Sequence, residues 1–263
     1  MIHLKSNDVN LDISLIKCAM IGDLDKVKEL ISNGADINAR NGWGDSPLSL
    51  ALNEDHLDVV KELINHGANV NTQNKRGDSP LSLASYSGNL DVVKELIKHG
   101  ANVNNKSTYT PLYEASISGN LDVVKELINH GANVNTQNNY ENNPLLEASY
   151  RGLLDVVKEL INHGANVNAQ DEFGKTALMN ASYRGRLDVV KELIKHGANL
   201  NIRSKEGMTA LMYASMGINL DVIKELIKYK ADVNIMDKKG RTAFSYGKVK
   251  VKKLFTSLGL GIE

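Results

Sequence analysis

The stretch Leu90–Asn104, LDVVKELIKHGANVN, decides the fold. Val92, Val93, Leu96 and Ile97 fall on one side of a 3.6-residue helix, and Asp91, Lys94, Glu95 and Lys98 fall on the other. That spacing predicts a short amphipathic helix. Asp91 sits in the first turn, where the positive end of the helix dipole favours a carboxylate, and Lys98 and His99 close the last turn, where cations are favoured. Gly100 supplies the left-handed residue that ends a helix without steric cost, and Asn102 to Asn104 lead into a turn. A helix of about ten residues is marginal alone in water, so it must pack against others of its kind.

Those others follow from the terminal glycine: Gly34, Gly67, Gly100, Gly131, Gly164 and Gly197, with Lys230 in the same register, at steps of 33, 33, 31, 33, 33 and 33 residues. Half a period upstream a second motif keeps the beat. It reads GDSPLSLA at Gly44–Ala51 and again at Gly77–Ala84, then TPLYEA, NPLLEA, GKTALMNA and GMTALMYA. Register held over seven or so units is not a product of chance. The pattern resembles the ankyrin repeat, whose unit is a loop, a Thr-Pro-Leu-His helix and a second helix ending in Gly-Ala. The resemblance covers nearly the whole chain. It implies an all-α fold, an ankyrin-repeat solenoid of stacked helix-turn-helix units with protruding loops or β-hairpin turns, and a non-catalytic scaffold or adaptor for protein–protein interaction.

The period divides residues 1–263, taken as one domain, into an N-terminal cap at 1–39, internal copies at 40–72, 73–105, 106–136, 137–169, 170–201 and 202–234, and a truncated cap at 235–263. The copies are not equal. The fourth has lost two loop residues, Glu141 replaces the loop glycine of the fifth, and Asp55 and Ile218 replace the glycine between the two helices of the second and seventh. Lys230 replaces the terminal glycine of the seventh, and a lysine at positive φ costs about 1 kcal/mol, so the seventh copy is expected to be the weakest. In the last cap Val251, Leu254, Phe255 and Leu258 keep helical spacing and are expected inside, with Lys248, Lys250, Lys252 and Lys253 facing water.

Composition excludes several classes. Lysine plus arginine equal aspartate plus glutamate at 31 each, so there is no global basic field for nucleic acid. The single cysteine, Cys18, has no partner in the chain, which points to a reducing compartment and a cytoplasmic protein. Cys18 occupies the small apolar register of Ala51, Ala84 and Ala115 and is expected in the core. No apolar run is long enough to span a membrane, and the first residues, MIHLKSNDVN, have no signal-peptide core. Richness in Asn, Lys and Ile is what an AT-rich genome produces. With near-identical copies and the family resemblance, it implies a host-directed protein of an intracellular bacterium or large virus, exported if at all by a non-classical route.

No catalytic motif is present: no HExxH, Walker loop, GxSxG or CxxC. The most tempting pattern is a histidine ladder, His66, His99, His130, His163 and His196, one per copy. Neighbouring helices lie about 8–10 Å apart, whereas zinc needs nitrogens about 2.0–2.1 Å from a common ion, so the ladder is structural and no metal or cofactor is expected. A stability that shifts mildly with pH near neutrality would be its one visible consequence. Asp58, Asp91, Asp122, Asp155 and Asp188 recur with the same period and are structural by the same logic. The histidine that the resemblance leads one to expect after Pro-Leu is replaced by Ser49, Ser82, Tyr113, Leu146, Met179 and Met212, which removes the family's Thr-to-His bond between copies.

Recognition should sit where the copies differ, because only variation can encode a particular partner. The second helices are nearly identical, while the loop tips and outer ends of the first helices vary. In ankyrin-like proteins those positions line a concave groove. Here they are Trp43 and Asp45 in the second copy, Arg76, Asp78 and Tyr86 in the third, and Tyr109 and Ile117 in the fourth. Tyr140, Tyr150 and Arg151 follow in the fifth, Phe173, Lys175, Tyr183 and Arg184 in the sixth, and Met208 and Met216 in the seventh. Of thirteen aromatic residues, seven fall on this face, and Tyr, Trp and Arg dominate interface hot spots. The same rings would also serve as half-buried spacers between copies, and Tyr113 and Tyr213 point inward to the core. The expected partner is a protein. The alternative partner is an acidic or phosphorylated ligand, or a single nucleic-acid strand, held by the Tyr150–Arg151 and Tyr183–Arg184 pairs.

Overall fold

A computed structural model describes residues 10–105, 109–138 and 141–260, and among them every regular element is a helix. The helices fall in two compact units, one reaching to residue 118 with residues 129–132, the other holding residues 119–128 and 133 onward. The first contains α1 (Leu11–Ile21), α2 (Leu24–Ser32), α3 (Pro47–Asn53), α4 (Leu57–Asn65), α5 (Pro80–Ser87), α6 (Leu90–Lys98) and α7 (Pro111–Ser118). In it α1, α3, α5 and α7 stack side by side, and α2, α4 and α6 form a second row behind them. The second begins with α8 (Leu121–Asn129) and continues through α9 (Pro144–Arg151), α10 (Leu154–Asn162), α11 (Ala177–Arg184) and α12 (Leu187–Lys195). It ends with α13 (Ala210–Met216), α14 (Leu220–Lys228), α15 (Ala243–Tyr246) and α16 (Val249–Ser257), and the same two rows recur as α9, α11, α13, α15 and α10, α12, α14. These are stacked helix pairs of an ankyrin-repeat kind. The anticipated β-hairpins are tight turns, with no strand among the described residues.

Each first helix starts where its sequence supplies a cap. Ser46 Oγ accepts from the Ser49 N–H at 3.2 Å and the Ser46 N–H donates to Ser49 Oγ at 2.8 Å. Ser79 and Ser82 repeat this reciprocal box, and Pro47 and Pro80 occupy the first turn, where a missing N–H costs nothing. The serines in the place of the family histidine therefore cap their own helix instead of tying copies together.

The second helices bury a row of leucines, Leu63, Leu96, Leu127, Leu160, Leu193 and Leu226, to zero exposure. Truncating one such leucine costs about 2–5 kcal/mol. Ladder histidines form the C-caps of α4, α6, α10 and α12, and Tyr229 takes that place in α14. Nδ1 of His66, His99 and His163 donates to the carbonyl of Glu62, Glu95 and Glu159, each at 2.9 Å, which satisfies an otherwise orphaned helix-end acceptor.

Between copies runs a second ladder, of asparagines, that the periodic pattern did not announce. Asn71 Oδ1 accepts from the Asn102 N–H at 2.8 Å, and its Nδ2 donates to the Gly100 carbonyl at 2.9 Å. In the second unit Asn168 does the same with the Asn199 N–H and the Gly197 carbonyl at 2.8 and 3.1 Å. One side chain thus reads the backbone at the end of the next copy's second helix.

The irregular copies keep the regular backbone. Only four described non-glycine residues have positive φ: Asp55 at 59°, Glu141 at 54°, Ile218 at 61° and Lys230 at 64°. All four stand where the period calls for glycine.

The first and last described copies differ in a telling place. Every internal second helix carries two adjacent buried β-branched residues, such as Val59–Val60, Val92–Val93 and Val222–Ile223. The first copy has Lys26–Val27 and the last has Val251–Lys252, with Val27 and Val251 fully buried and both lysines exposed. The first member of the pair accordingly faces the preceding copy and the second faces the following one.

Two core expectations need correction. Cys18 is half-buried, not core, because its register in internal copies is covered by a preceding first helix and α1 is the first helix described; Ala19 is the fully buried residue there. Leu258 is 45% exposed, since it lies beyond the end of α16, while Val251 and Phe255 are buried and Leu254 is half-buried.

Candidate functional site

The loop tips are held by side chains at their first position. Asn41 Oδ1 accepts from the Trp43 and Asp45 N–H groups at 2.8 and 2.9 Å, and Asn74 Oδ1 from those of Arg76 and Asp78 at 3.0 and 2.9 Å. In the second unit Asp171 Oδ1 accepts from Phe173 and Lys175 at 2.9 and 2.7 Å. Some neighbouring loops are also joined through a carbonyl. Trp43 O accepts from the Lys75 N–H at 3.0 Å, and Phe173 O from the Lys205 N–H at 2.9 Å. The loops pass so closely that a Cβ on Gly174 would lie 2.8 Å from the Lys205 nitrogen. Trp43 and Phe173 are therefore exposed on rigid turns, at 76% and 58%.

In the first unit four of the anticipated residues meet. Arg76, Asp78, Tyr86 and Tyr109 line an open cleft of about 350 Å³, together with Ser82, Leu83 and Glu114. Tyr86 is 58% exposed and Tyr109 37%; the Tyr109 ring leans on Tyr113 with centroids 6.3 Å apart. Arg76 Nε lies 3.2 Å from Asp78 Oδ2, so the cleft presents an ion pair, two phenols and a second carboxylate. Trp43 and Ile117 stand outside this lining, the latter half-buried. Sequence comparison placed Ser82 only in the family-histidine position and missed Leu83 and Glu114 altogether. Their register reads Leu50, Leu83, Glu114, Glu147, Asn180, Tyr213, and variation between copies one residue further along the first helix was the signal.

In the second unit the anticipated residues pair among themselves. The Arg184 guanidinium lies over the Tyr150 ring at 4.8 Å, so the Tyr–Arg contact joins neighbouring copies and not residues adjacent in one copy. Arg151 Nε is bonded to Glu147 Oε1 at 2.7 Å on its own helix. Lys175 Nζ stands between the Phe173 and Tyr213 rings at 5.6 and 5.7 Å, and Tyr183 meets Tyr213 edge-on at 6.4 Å. Tyr213 is buried as anticipated, and that burial pushes its hydroxyl above the usual phenol range. Tyr183 and Met216 are each 41% exposed. Tyr140 lies outside the described residues.

Two anticipated contact residues do not face solvent. Asp45 is 7% exposed because its carboxylate turns inward to accept from Asn74 Nδ2 at 2.9 Å and Asn41 Nδ2 at 3.3 Å. Met208 is 8% exposed, an apolar side chain folded under its loop. Both leave the candidate surface and join the structure that supports it.

Among the described residues no group of His, Cys, Asp and Glu is arranged to hold a metal ion, and no helix is long and apolar enough to cross a membrane.

Stacked helix pairs at a 33-residue period, with turn-held loop tips beside the first helices, define the class. The family model described as ankyrin repeats (3 copies) matches residues 15–107, 99–171 and 145–237, and the chain belongs to that family. Ankyrin repeats are in general protein–protein interaction modules. Among solved structures the chain is similar to the crystal structure of the human ASB11 ankyrin repeat domain, with a TM-score of 0.74 and 28% identity over 82% of this chain and 97% of that one. No curated protein matches the chain.

Proposed function

We propose that this protein is a non-catalytic scaffold whose first-helix and loop face binds a protein partner, anchored in the first unit at the cleft between Tyr86 and Tyr109. The observation that carries this reading is the meeting of Arg76, Asp78, Tyr86 and Tyr109 in one opening. Exposed tyrosines on a rigid frame lose little rotamer entropy on binding, and with arginine they are the residue types that supply most interface energy. Trp43 at its loop tip extends the same face. The alternative of a phosphorylated or single-stranded nucleic-acid ligand draws on the Tyr150–Arg151 and Tyr183–Arg184 pairs, and it has less support because Arg151 is held by Glu147 and Arg184 lies over Tyr150. With its lone cysteine the chain fits a reducing, cytoplasmic setting.

The test compares affinity capture by the wild-type chain with capture by a Tyr86→Ala, Tyr109→Ala variant whose melting curve shows it folded. Loss of one captured protein, with the background unchanged, is the expected result. An identical captured set from both chains would refute the cleft as the anchor.

A further inference from the structure

Residues 238–260 hold seven basic side chains and no Asp or Glu, in a chain whose formal charge is zero. Lys238 and Lys239 stand on the loop before α15, and Lys248, Lys250, Lys252 and Lys253 on or beside α16; all six are exposed. None of them is in an ion pair among the described residues. Asp237, the carboxylate that precedes the run, is already held by Arg241 and Tyr246.

A terminal copy needs a polar outer face, and that need accounts for only part of this charge. The other second helices each carry an Asp and a Glu beside their lysines, and some of these meet, as in Lys98–Glu95 at 3.1 Å, Lys195–Glu192 at 3.2 Å and Lys224–Asp221 at 3.4 Å. The N-terminal cap changes one inward valine to Lys26 and pairs it with Glu29 at 2.7 Å. The C-terminal cap makes the equivalent change at Lys252, but it also carries Lys250 where α14 has Asp221 and Leu254 where α14 has Glu225. Capping requires the first change and not the other two. Beside these lysines Val249 is 69% exposed, an aliphatic side chain with no cover on a face that a cap would keep polar.

We propose that α16 and the loop before α15 form a second docking surface, for an acidic segment of a partner protein that carries an aliphatic residue to meet Val249. Lysines without carboxylate partners select an anionic ligand and speed its approach. A bilayer surface suits the site less well, because Val251 and Phe255 are turned inward and α16 offers no apolar face to enter lipid. A nucleic-acid strand would need rings for its bases, whereas Phe255 is buried, Phe244 lies under Lys252 and Tyr246 under Arg241. An exposed aliphatic side chain within a charged rim is the arrangement of a protein interface.

The experiment measures binding of four probes to the full chain by fluorescence anisotropy or cosedimentation at low and moderate salt. These are a labelled glutamate-rich peptide with two leucines, the same peptide with serines for leucines, a single-stranded oligonucleotide, and vesicles containing phosphatidylserine. The leucine peptide should bind most tightly, and Lys248→Gln, Lys250→Gln, Lys252→Gln, Lys253→Gln should weaken it by at least about tenfold, as the loss of several charge contacts implies. Val249→Ser should weaken the leucine peptide alone. No binding of the leucine peptide at low salt, or equal binding to the quadruple variant, overturns the proposal. So does tighter binding of the oligonucleotide or the vesicles, which would reassign the surface. The lysines and Val249 are exposed, and unchanged melting of both variants separates lost docking from lost folding.

Discussion

Replacing Lys230 with glycine should stabilise the protein, although it removes a side chain and adds no contact. Lys230 closes α14 at φ 64°, a conformation that costs an L-residue about 1–2 kcal/mol. Its side chain is exposed, so little packing is lost with it. At the equivalent glycines Gly164 and Gly197 an added Cβ would meet nothing within 4 Å, so the cost at this register is conformational and not steric. Glycine has more freedom in the unfolded chain, which takes back about 0.4–1 kcal/mol. The net gain is therefore about 0.5–1 kcal/mol, a rise of about 1–4 °C in melting temperature at this chain length. The gain should be local. Hydrogen exchange should slow in α14 and its neighbours and stay unchanged in α4 and α6, because a repeat stack is stabilised through nearest neighbours. Gly197→Ala is the mirror control and should lose about 1 kcal/mol. Equal or lower stability of Lys230→Gly, alongside a neutral Gly197→Ala, would refute the claim that backbone strain makes the seventh copy weak.

Two further perturbations test the links between copies. Asn168→Ala removes the acceptor of the Asn199 N–H and the donor to the Gly197 carbonyl, and at about 1 kcal/mol per net hydrogen bond it should cost about 1–2 kcal/mol by denaturant unfolding. The Asp237 cluster gives the last copy a pH dependence at both extremes. Burial works against the Asp237 charge, but hydrogen bonds from Tyr246 and Arg241 outweigh it and hold the carboxyl far below the usual carboxylate range. Its contribution is thus complete above the ordinary aspartate pKa and lost as pH falls below it. Burial and Asp237 push the Tyr246 hydroxyl up to about 12 from the ordinary phenol value of 10.0, so its contribution is complete below that ordinary value and lost as pH rises toward 12. Melting followed from acid to alkaline pH should show both losses, and Asp237→Asn should flatten the acid one.

The period, the amphipathic second helices and the four strained positions were legible because each follows from chain geometry alone. A 33-residue register fixes which residue must adopt a left-handed conformation, and Asp55, Glu141, Ile218 and Lys230 adopt it whatever their side chains prefer. The direction of a rim side chain was not legible. Asp45, Asp78, Tyr109, Lys175 and Met208 share one register just before the first helix, yet Asp45 and Met208 are buried, Asp78 and Lys175 half-buried and Tyr109 37% exposed. At a rim the outcome depends on the neighbour: Asp45 is short enough to reach Asn74, Met208 is apolar enough to fold under, and the Tyr109 ring is too large to do either. The Arg184–Tyr150 stack was hidden for a related reason, since adjacency in sequence says nothing about which copy a long side chain leans toward. The asparagine ladder escaped because its partners are backbone groups, which carry no signal in the pattern.

The two sides of each unit differ in how much of their chemistry is already satisfied. On the second-helix side some lysines meet carboxylates of their own helix, histidines take up helix-end carbonyls and asparagines bind the next copy's backbone. Near-identity between copies there is the sequence trace of contacts that serve every copy alike. On the loop side the backbone is equally well fixed, by Asn41, Asn74 and Asp171, but the side chains that the turns project are large and open to solvent. A rigid frame holding open aromatic groups is what favours binding, because the ordering cost was met when the loops folded. The proposed recognition rests on that asymmetry: the repeated contacts build the frame, and Trp43, Tyr86, Tyr109 and Phe173, which break the repetition, are exposed on it.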